Sequence, residues 1–323
     1  MNTNRMKKAQ PLQRSAALAT AALLIFAAAL VCTGCPGGSG QKNPGGSGSL
    51  SSAIGSYNAA SGTLTVGSVT YMMKKINAEN NATLGAASQP GNKNHTAKLK
   101  EYWIGETEVT QELWMKVMGS NPSQFNGIGI KVPAGGDVQL KRPVDTVTWF
   151  DCIDFCNKLT DGIAGLGPSE RVYTVSGSGS GKTVTQNLSK KGFRLPTEAE
   201  WEWAARGGNL SNDYSGDTVA GNVAWFSGNS NHKTHEGGKK AANAYGLYDM
   251  SGNVAEWCWD IHENINAGTN LAEDYAGPIV GSRRVRRGGD YSSPDSSCKC
   301  VFRVDEEPDY TEDHIGFRIV CRP

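Results

Sequence analysis

Apolar positions recur at helical spacing in three short stretches and alternate at strand spacing in several others, with Gly, Ser and Asn between them. Thr110 precedes Leu113, Trp114 and Val117 and can cap a helix through Met118, which Gly119 and Asn121-Pro122 stop. Thr148 can cap a second helix, Trp149 to Leu159, with Asp151 at its third position and Ile153, Cys156 and Leu159 as the inward stripe. In the third, Pro196 forces an extended entry, Thr197 and Glu200 form a capping box, and Trp201 with Ala204 or Ala205 faces the core. Strand patterns cover Gly62 to Tyr71, Tyr102 to Thr110, and a hairpin from Tyr173-Thr-Val to Thr183-Val-Thr. Arg284 to Gly289 and Ile315 to Val320 also read as strands; in the latter Phe317, Ile319 and Cys321 alternate with Arg318, Val320 and Arg322. Few helices among short strands, with 40 Gly and 8 Trp, exclude a helical bundle and predict an α+β fold of many turns around large aromatic anchors.

The span Asp290 to His314 lies between two of those strands and carries Asp, Ser, Pro, Glu, Tyr and Thr with few large aliphatics. Such a span buries little of itself and belongs on the surface, where long connections carry function.

The start of the chain has the parts of an export signal: Arg5, Lys7, Lys8 and Arg14, an apolar run from Ala16 to Val31, and small residues ahead of Cys35. That run, about 16 residues, is short of the roughly 20 that a bilayer span needs. Cys32-Thr-Gly-Cys35 resembles a bacterial lipobox, with Cys32 in place of the usual aliphatic residue, so Cys35 is the expected lipidation site and a lipid there anchors the chain to a membrane. A Gly, Ser and Pro-rich stretch follows as a flexible tether. The expected organisation is a signal peptide over 1–34, a tether over 35–62 and one domain over 63–323. An exported lipoprotein at the outer membrane or cell surface is implied. Export permits disulfides, yet a domain of this size does not need staples, and Cys152 and Cys156 at helical spacing read as core residues. A net charge of +1 offers no basic stripe for nucleic acid.

Two local patterns carry little. Gly181-Lys182-Thr183 ends like a phosphate-binding loop, but Ser176 stands where that motif needs Gly and strand formers follow it. His232, His235 and Glu236 fall in a Gly, Asn and Lys-rich loop that reads as a solvated turn.

Several stretches together resemble the formylglycine-generating-enzyme, or sulfatase-modifying-factor, family: Ile104-Gly-Glu-Thr-Glu-Val-Thr110, Pro143-Val-Asp-Thr-Val-Thr-Trp149, Phe193 to Arg206, Gly246-Leu-Tyr-Asp-Met-Ser-Gly-Asn-Val-Ala-Glu-Trp257, Arg287-Gly-Gly289 and Gly316-Phe-Arg318. The resemblance implies an α+β domain with the C-type-lectin fold of the formylglycine-generating-enzyme type: few helices, small sheets and much irregular chain. It also implies a calcium site in which side chains of Asp249 and Glu256 and carbonyls of Gly252 and Val254 supply hard oxygen ligands. The alternative is a hydrogen-bonded turn whose carboxylates are satisfied by backbone N–H groups.

The family's enzyme oxidises a client cysteine with oxygen and a copper ion held by two cysteines, four and nine residues after the Gly-Gly pair. Those positions here are Ser293 and Cys298. A hydroxyl is a poor substitute for a thiolate toward copper, so no copper and no catalysis are expected. Cys300, two residues from Cys298, would point to the opposite face of a strand.

A second branch of the fold is more similar: the variable proteins of diversity-generating retroelements, spirochaete surface lipoproteins among them. Their C-terminal segment is rewritten by adenine-directed mutagenesis within a fixed frame, matched here by Arg287-Gly-Gly289, Cys298, Arg303, Pro308 and Ile315-Gly-Phe-Arg318, so that the variable region spans about 286–323. An Asn codon rewritten at its adenines reaches Asp, Ser, Tyr, Phe, Val and His but not Glu, Lys, Gln, Met or Trp. Asp290, Tyr291, Ser292, Ser293, Ser297, Phe302, Val304, Asp305, Tyr310, Asp313 and His314 lie in the reachable set at changeable positions; Glu306, Glu307 and Glu312 do not. Tyr and Phe among Ser and Asp suit a binding face. The reading is a tethered, monomeric ligand-binding protein, its partner a protein first and a glycan second. Oxidase activity and a fixed-specificity lectin-like lipoprotein are the alternatives.

Overall fold

The computed structural model describes residues 53–322; the signal peptide, Cys35 and the front of the tether lie outside the described residues. Folded chain begins ahead of the expected Thr63, because strand β1 (Gly55–Asn58) pairs antiparallel with β2 (Thr63–Val66) and Tyr57 packs edge-on against Phe193. The run Gly62 to Tyr71, expected as one strand, is instead a hairpin. Val66 pairs with Val69 across Gly67-Ser68, and Gly67 takes the positive φ (58°) that such a two-residue turn requires. The second arm, β3 (Val69–Ile76), then runs to β4 (Glu79–Leu84), β5 (His95–Leu99) and β6 (Tyr102–Gly105).

The three helices form where their caps predict. Thr110 accepts from Leu113 N at the start of α1 (Gln111–Met118), and Gly119 closes it in the left-handed conformation. α2 (Trp149–Gly162) opens on a complete Thr148–Asp151 capping box and buries Ile153, Cys156 and Leu159. The hairpin β7 (Tyr173–Ser176) and β8 (Thr183–Gln186) follows, then α3 (Glu198–Arg206) with its Thr197–Glu200 capping box and buried Trp201, Ala204 and Ala205. After the short α4 (Ala220–Val223) come β9 (Ala255–Ile261), β10 (Asn270–Leu271), β11 (Arg284–Arg287), β12 (Arg303–Glu306), β13 (Ile315–Gly316) and β14 (Val320–Cys321).

These strands make a five-stranded sheet in the order β1-β2-β3-β6-β14, a four-stranded sheet β12-β11-β9-β13, a three-stranded sheet β10-β5-β4 and the isolated hairpin. The segment Ile315 to Cys321 departs from a single alternating strand: β13 pairs with β9 and β14 with β6, so it ties two sheets together. Both its faces are covered, and Arg318 is as fully buried as Phe317 and Ile319. A buried guanidinium is tolerable only when paired. Arg318 meets Glu256 through two bonds of 2.6 Å and donates to the carbonyls of Gly105 and Tyr248.

The same logic governs α3. Glu198, Glu200 and Glu202 are all buried, and each faces arginine: Glu200 is bidentate with Arg194 at 2.7 Å, while Arg287 reaches Glu198 at 2.8 Å and Glu202 at 2.6 Å. Burial opposes ionisation of Glu202, yet Arg287 and Arg206 hold its carboxyl down to about 2. Above this ionic layer sits the C-terminal segment.

Candidate functional site

The sheet β12-β11-β9 packs one face beside α3 and the other, which carries Trp257, against Trp149, and Arg286 and Arg287 both border a surface depression. Val285 and Arg287 point toward Trp201, whereas Arg284 lies over Trp149 and Arg286 over Trp257, as strand alternation requires. After Arg287 the chain turns through Gly288 and Gly289, both at positive φ. A Cβ at Gly289 would stand 2.6 Å from Ser297 O and 2.9 Å from Cys298 Sγ, so the turn admits only glycine. Asp290 then organises the next loop: Ser292 N and Oγ donate to one carboxylate oxygen at 2.8 and 2.7 Å, and Ser293 Oγ to the other at 2.7 Å.

The depression encloses about 150 Å³. Of the eleven changeable positions, Asp290, Ser293, Ser297, Phe302, Val304 and His314 line it, together with Ala255, Arg286, Arg287 and Gly289. Phe302 also borders a wider groove of about 690 Å³ between the 85–90 loop and Ser296, Lys299 and Val301. The other five surround the cavity in different ways. Ser292 is exposed, Asp305 pairs with Arg283, and Tyr310 lies 5.8 Å from the Arg286 guanidinium. Asp313 accepts from Lys131 Nζ at 2.9 Å and from the Tyr291 hydroxyl at 2.8 Å. Tyr291 itself is buried, edge-on to Phe125 at 5.0 Å, so its ring is a wall of the site instead of free contact area.

The frame residues between them behave oppositely. Arg287 donates to the carbonyls of Cys300 and Phe302 at 3.0 and 3.1 Å, and Arg303 to those of Gly91 and Glu263 at 2.9 and 2.6 Å. Fully buried, Cys298 and Cys300 belong to different packed clusters, although they lie on a 3-10 turn (Asp295–Cys298) and just past it, and not on the strand that their spacing assumed.

The resemblance implies a copper site and a calcium site, and the side chains at each are engaged in part by the protein itself. At the copper positions the Ser293 hydroxyl is committed to Asp290, and burial, reinforced by Asp290 and Asp295, pushes the Cys298 thiol up to about 12. At the calcium turn Glu256 spends both oxygens on Arg318 and Trp201 Nε1, and one Asp249 oxygen accepts from Gly238 N. Glu256 is thus satisfied by side chains and not by backbone N–H groups. The other Asp249 oxygen and both oxygens of Glu108 are buried without a donor. Burial, with Asp249 and Glu256 nearby, raises the Glu108 pKa well above the carboxylate range, and burial raises that of Asp249 to about 6. These three buried oxygens call for a proton or a cation to offset their charge.

The loop with His232 and His235 is not a solvated turn throughout. His235 is buried and stacked on Trp225 at 3.7 Å, with Nδ1 3.0 Å from Asp137 and Nε2 2.9 Å from Ser230 O. Asp137 is remote in sequence and Trp225 lies upstream of the loop, so no pattern within the loop reveals that pocket. Sequence reasoning also missed Arg286 in the cavity and Lys131 beside Asp313. Strand alternation in Arg284-Val-Arg-Arg287 was a usable signal for the first; nothing local marks the second.

Small sheets around few helices, with a C-terminal segment stitched through two of them, define a C-type-lectin fold of the formylglycine-generating-enzyme type. The chain belongs to the family described as the sulfatase-modifying factor enzyme 1-like domain, which matches residues 58–323. It is 46% identical to Treponema denticola variable protein 1, with a TM-score of 0.75 over 81% of this chain and 98% of that one. Among curated relatives it is 35% identical over 241 residues to chaperone protein LppX of Paenibacillus barcinonensis, covering 67% of this chain and 80% of the relative. It is 37% identical over 253 residues to the formylglycine-generating enzyme of Streptomyces coelicolor, covering 69% and 79%.

Proposed function

We propose that the protein is a lipid-anchored, ligand-binding variable protein displayed at the outer membrane or cell surface. Its cavity-lining side chains are rewritten by a retroelement through adenine-directed mutagenesis, and it performs no catalysis. The observation that carries this reading is the division of labour in the C-terminal segment. Six reachable positions converge on one 150 Å³ cavity, while Arg287, Cys298, Arg303 and Arg318 between and beyond them are buried. Apart from Asp290, which organises its own loop, side chains at the cavity can change without disturbing the buried arginines that fix the backbone. The similarity to a Treponema denticola variable protein supports the same reading. Against oxidase chemistry stands the hydroxyl at position 293, where the family's enzyme has a second thiolate.

Deep sequencing of the codons for Arg286 to Pro323 across one lineage, with the flanking DNA, tests the proposal. Substitutions concentrated at the eleven positions and traceable to adenines in a nearby near-copy are expected. An invariant segment without a near-copy refutes diversification and returns the protein to a fixed-specificity reading.

A further inference from the structure

Among the arginines of the described residues, Arg286 stands apart. Arg142, Arg171, Arg194, Arg206, Arg283 and Arg284 each donate at least one side-chain hydrogen bond, as do Arg287, Arg303, Arg318 and Arg322. Arg286 donates none, although its side chain is only 9% exposed. Its Nε is buried without a partner, and its ion pair is long: Nη2 stands 3.6 Å from Glu306 Oε2, while Arg283 holds the other Glu306 oxygen at 3.1 Å. Asp290, the other acid facing it, has both oxygens committed to Ser292 and Ser293. The guanidinium is held between Trp257 and Tyr310, with centroids at 5.7 and 5.8 Å, and lines the variable cavity. Charged donors in low dielectric are rarely left unspent, and a guanidinium offers a planar fork matched to a carboxylate.

We propose that the cavity receives a carboxylate from the ligand, the side chain of a Glu or Asp on a protein partner, with Arg286 as the fixed cation that binds it. This deepens the binding-face reading and rests on it. The walls of Ser293, Ser297, Phe302, Val304 and His314 then tune which acidic residue and which flanking surface are accepted, while the anchoring charge stays constant. A variant repertoire built this way shares one chemical requirement, an acidic anchor, and differs in the contacts around it.

The test is a titration of the purified full chain, labelled with nitrogen-15, following the arginine Nε–H resonances. N-acetylglutamate, N-acetylglutamine and inorganic phosphate are added at matched ionic strength. Saturable binding of N-acetylglutamate, with a dissociation constant on the order of 1 mM, is expected, with a response at least tenfold weaker for N-acetylglutamine and for phosphate. Arg286→Gln abolishes it, with the melting temperature of the variant measured alongside to show that it is folded. Ser297→Tyr, which fills the cavity and leaves Arg286 in place, abolishes it as well and decides the matter if Arg286→Gln fails to fold. Unaltered binding in either folded variant overturns the inference, as does equal binding of the glutamine analogue or tighter binding of phosphate. Codon diversification at Ser293, Ser297 and Val304 is read separately and survives such a failure, so the two proposals fall independently.

Discussion

Replacing Arg287 with Met tests the idea that the variable segment hangs on a buried ionic frame. Arg287 is 2% exposed and donates to Glu202, to Cys300 O and to Phe302 O, besides facing Glu198 at 2.8 Å. Removing one member of a buried ion pair costs about 3–5 kcal/mol, since the partner charge stays behind. Two carbonyls left without their donor add about 1 kcal/mol each. The sum, on the order of 5–7 kcal/mol, rivals the 5–15 kcal/mol total of a typical domain, so the variant should be marginal or unfolded. Beside it stand Ser297→Asp and Val304→Asp, both reachable from one codon type, which should stay within about 0.5–1 kcal/mol of wild type. Urea denaturation of the set, followed by tryptophan fluorescence, reads both predictions. A loss under about 1 kcal/mol for Arg287→Met, or over about 2 kcal/mol for Val304→Asp, would refute the separation of frame from face.

Further outcomes follow from the same geometry. Tyr291→Phe removes the bond to Asp313 and should cost about 1 kcal/mol, whereas Tyr291→Ala should cost about 3–5 kcal/mol, because the ring is wall and not paratope; chemical denaturation separates them. Cys298→Ala should lower stability by about 1–2 kcal/mol and leave ligand binding intact, and a loss of binding without loss of stability would give the thiol a role beyond packing. Since Glu256 is committed to Arg318, the melting temperature should agree within about 2 °C in chelator and in millimolar calcium; one kcal/mol of linkage would move it by roughly 2–4 °C. Burial, with Glu198 next, raises the Asp260 carboxyl to about 8, so the folded state binds this proton more tightly than the unfolded chain, and stability should fall as pH rises from about 4 to about 8. Asp260→Asn should flatten that slope, measured as melting temperature against pH.

Much of this was legible locally. Capping boxes at Thr148 and Thr197 need only residues three apart, and the hydrophobic stripes beside them fixed which helical face is buried. The frame was likewise visible as motif. What local pattern could not supply was the partner of each charge. Alternation assigned Arg318 to solvent because arginine is usually exposed, yet Glu256, on β9, neutralises it inside the core. Composition assigned His235 to a solvated turn because Gly and Lys surround it in sequence, while Trp225 and Asp137 surround it in space. Asp290 and Tyr291 were read as free contact groups, but the loop's own hydroxyls and Phe125 occupy them. For Arg318, His235 and Tyr291 a compensating contact lies far along the chain, whereas for Asp290 it lies in the loop itself.

That pattern of discrepancy bears on how a segment can vary while its fold stays constant. Hydrophobic packing alone would couple neighbouring positions, since filling or emptying a close-packed core is felt over several residues. Here the backbone of the segment is instead held at points by long-range polar bonds: Arg287 on the carbonyls of Cys300 and Phe302, Arg303 on those of Gly91 and Glu263, and Arg318 on those of Gly105 and Tyr248. Bonds to backbone carbonyls do not depend on which side chain those residues carry. Phe302 shows this directly, because its carbonyl is fixed by Arg287 while its side chain lines the cavity. Substitution at 302 should therefore change the cavity and leave Arg287 in register, which a structure of Phe302→Ser would show as an unmoved β12 beside an enlarged depression. A shifted β12 would mean that the ring, and not the guanidinium, sets the position of the strand.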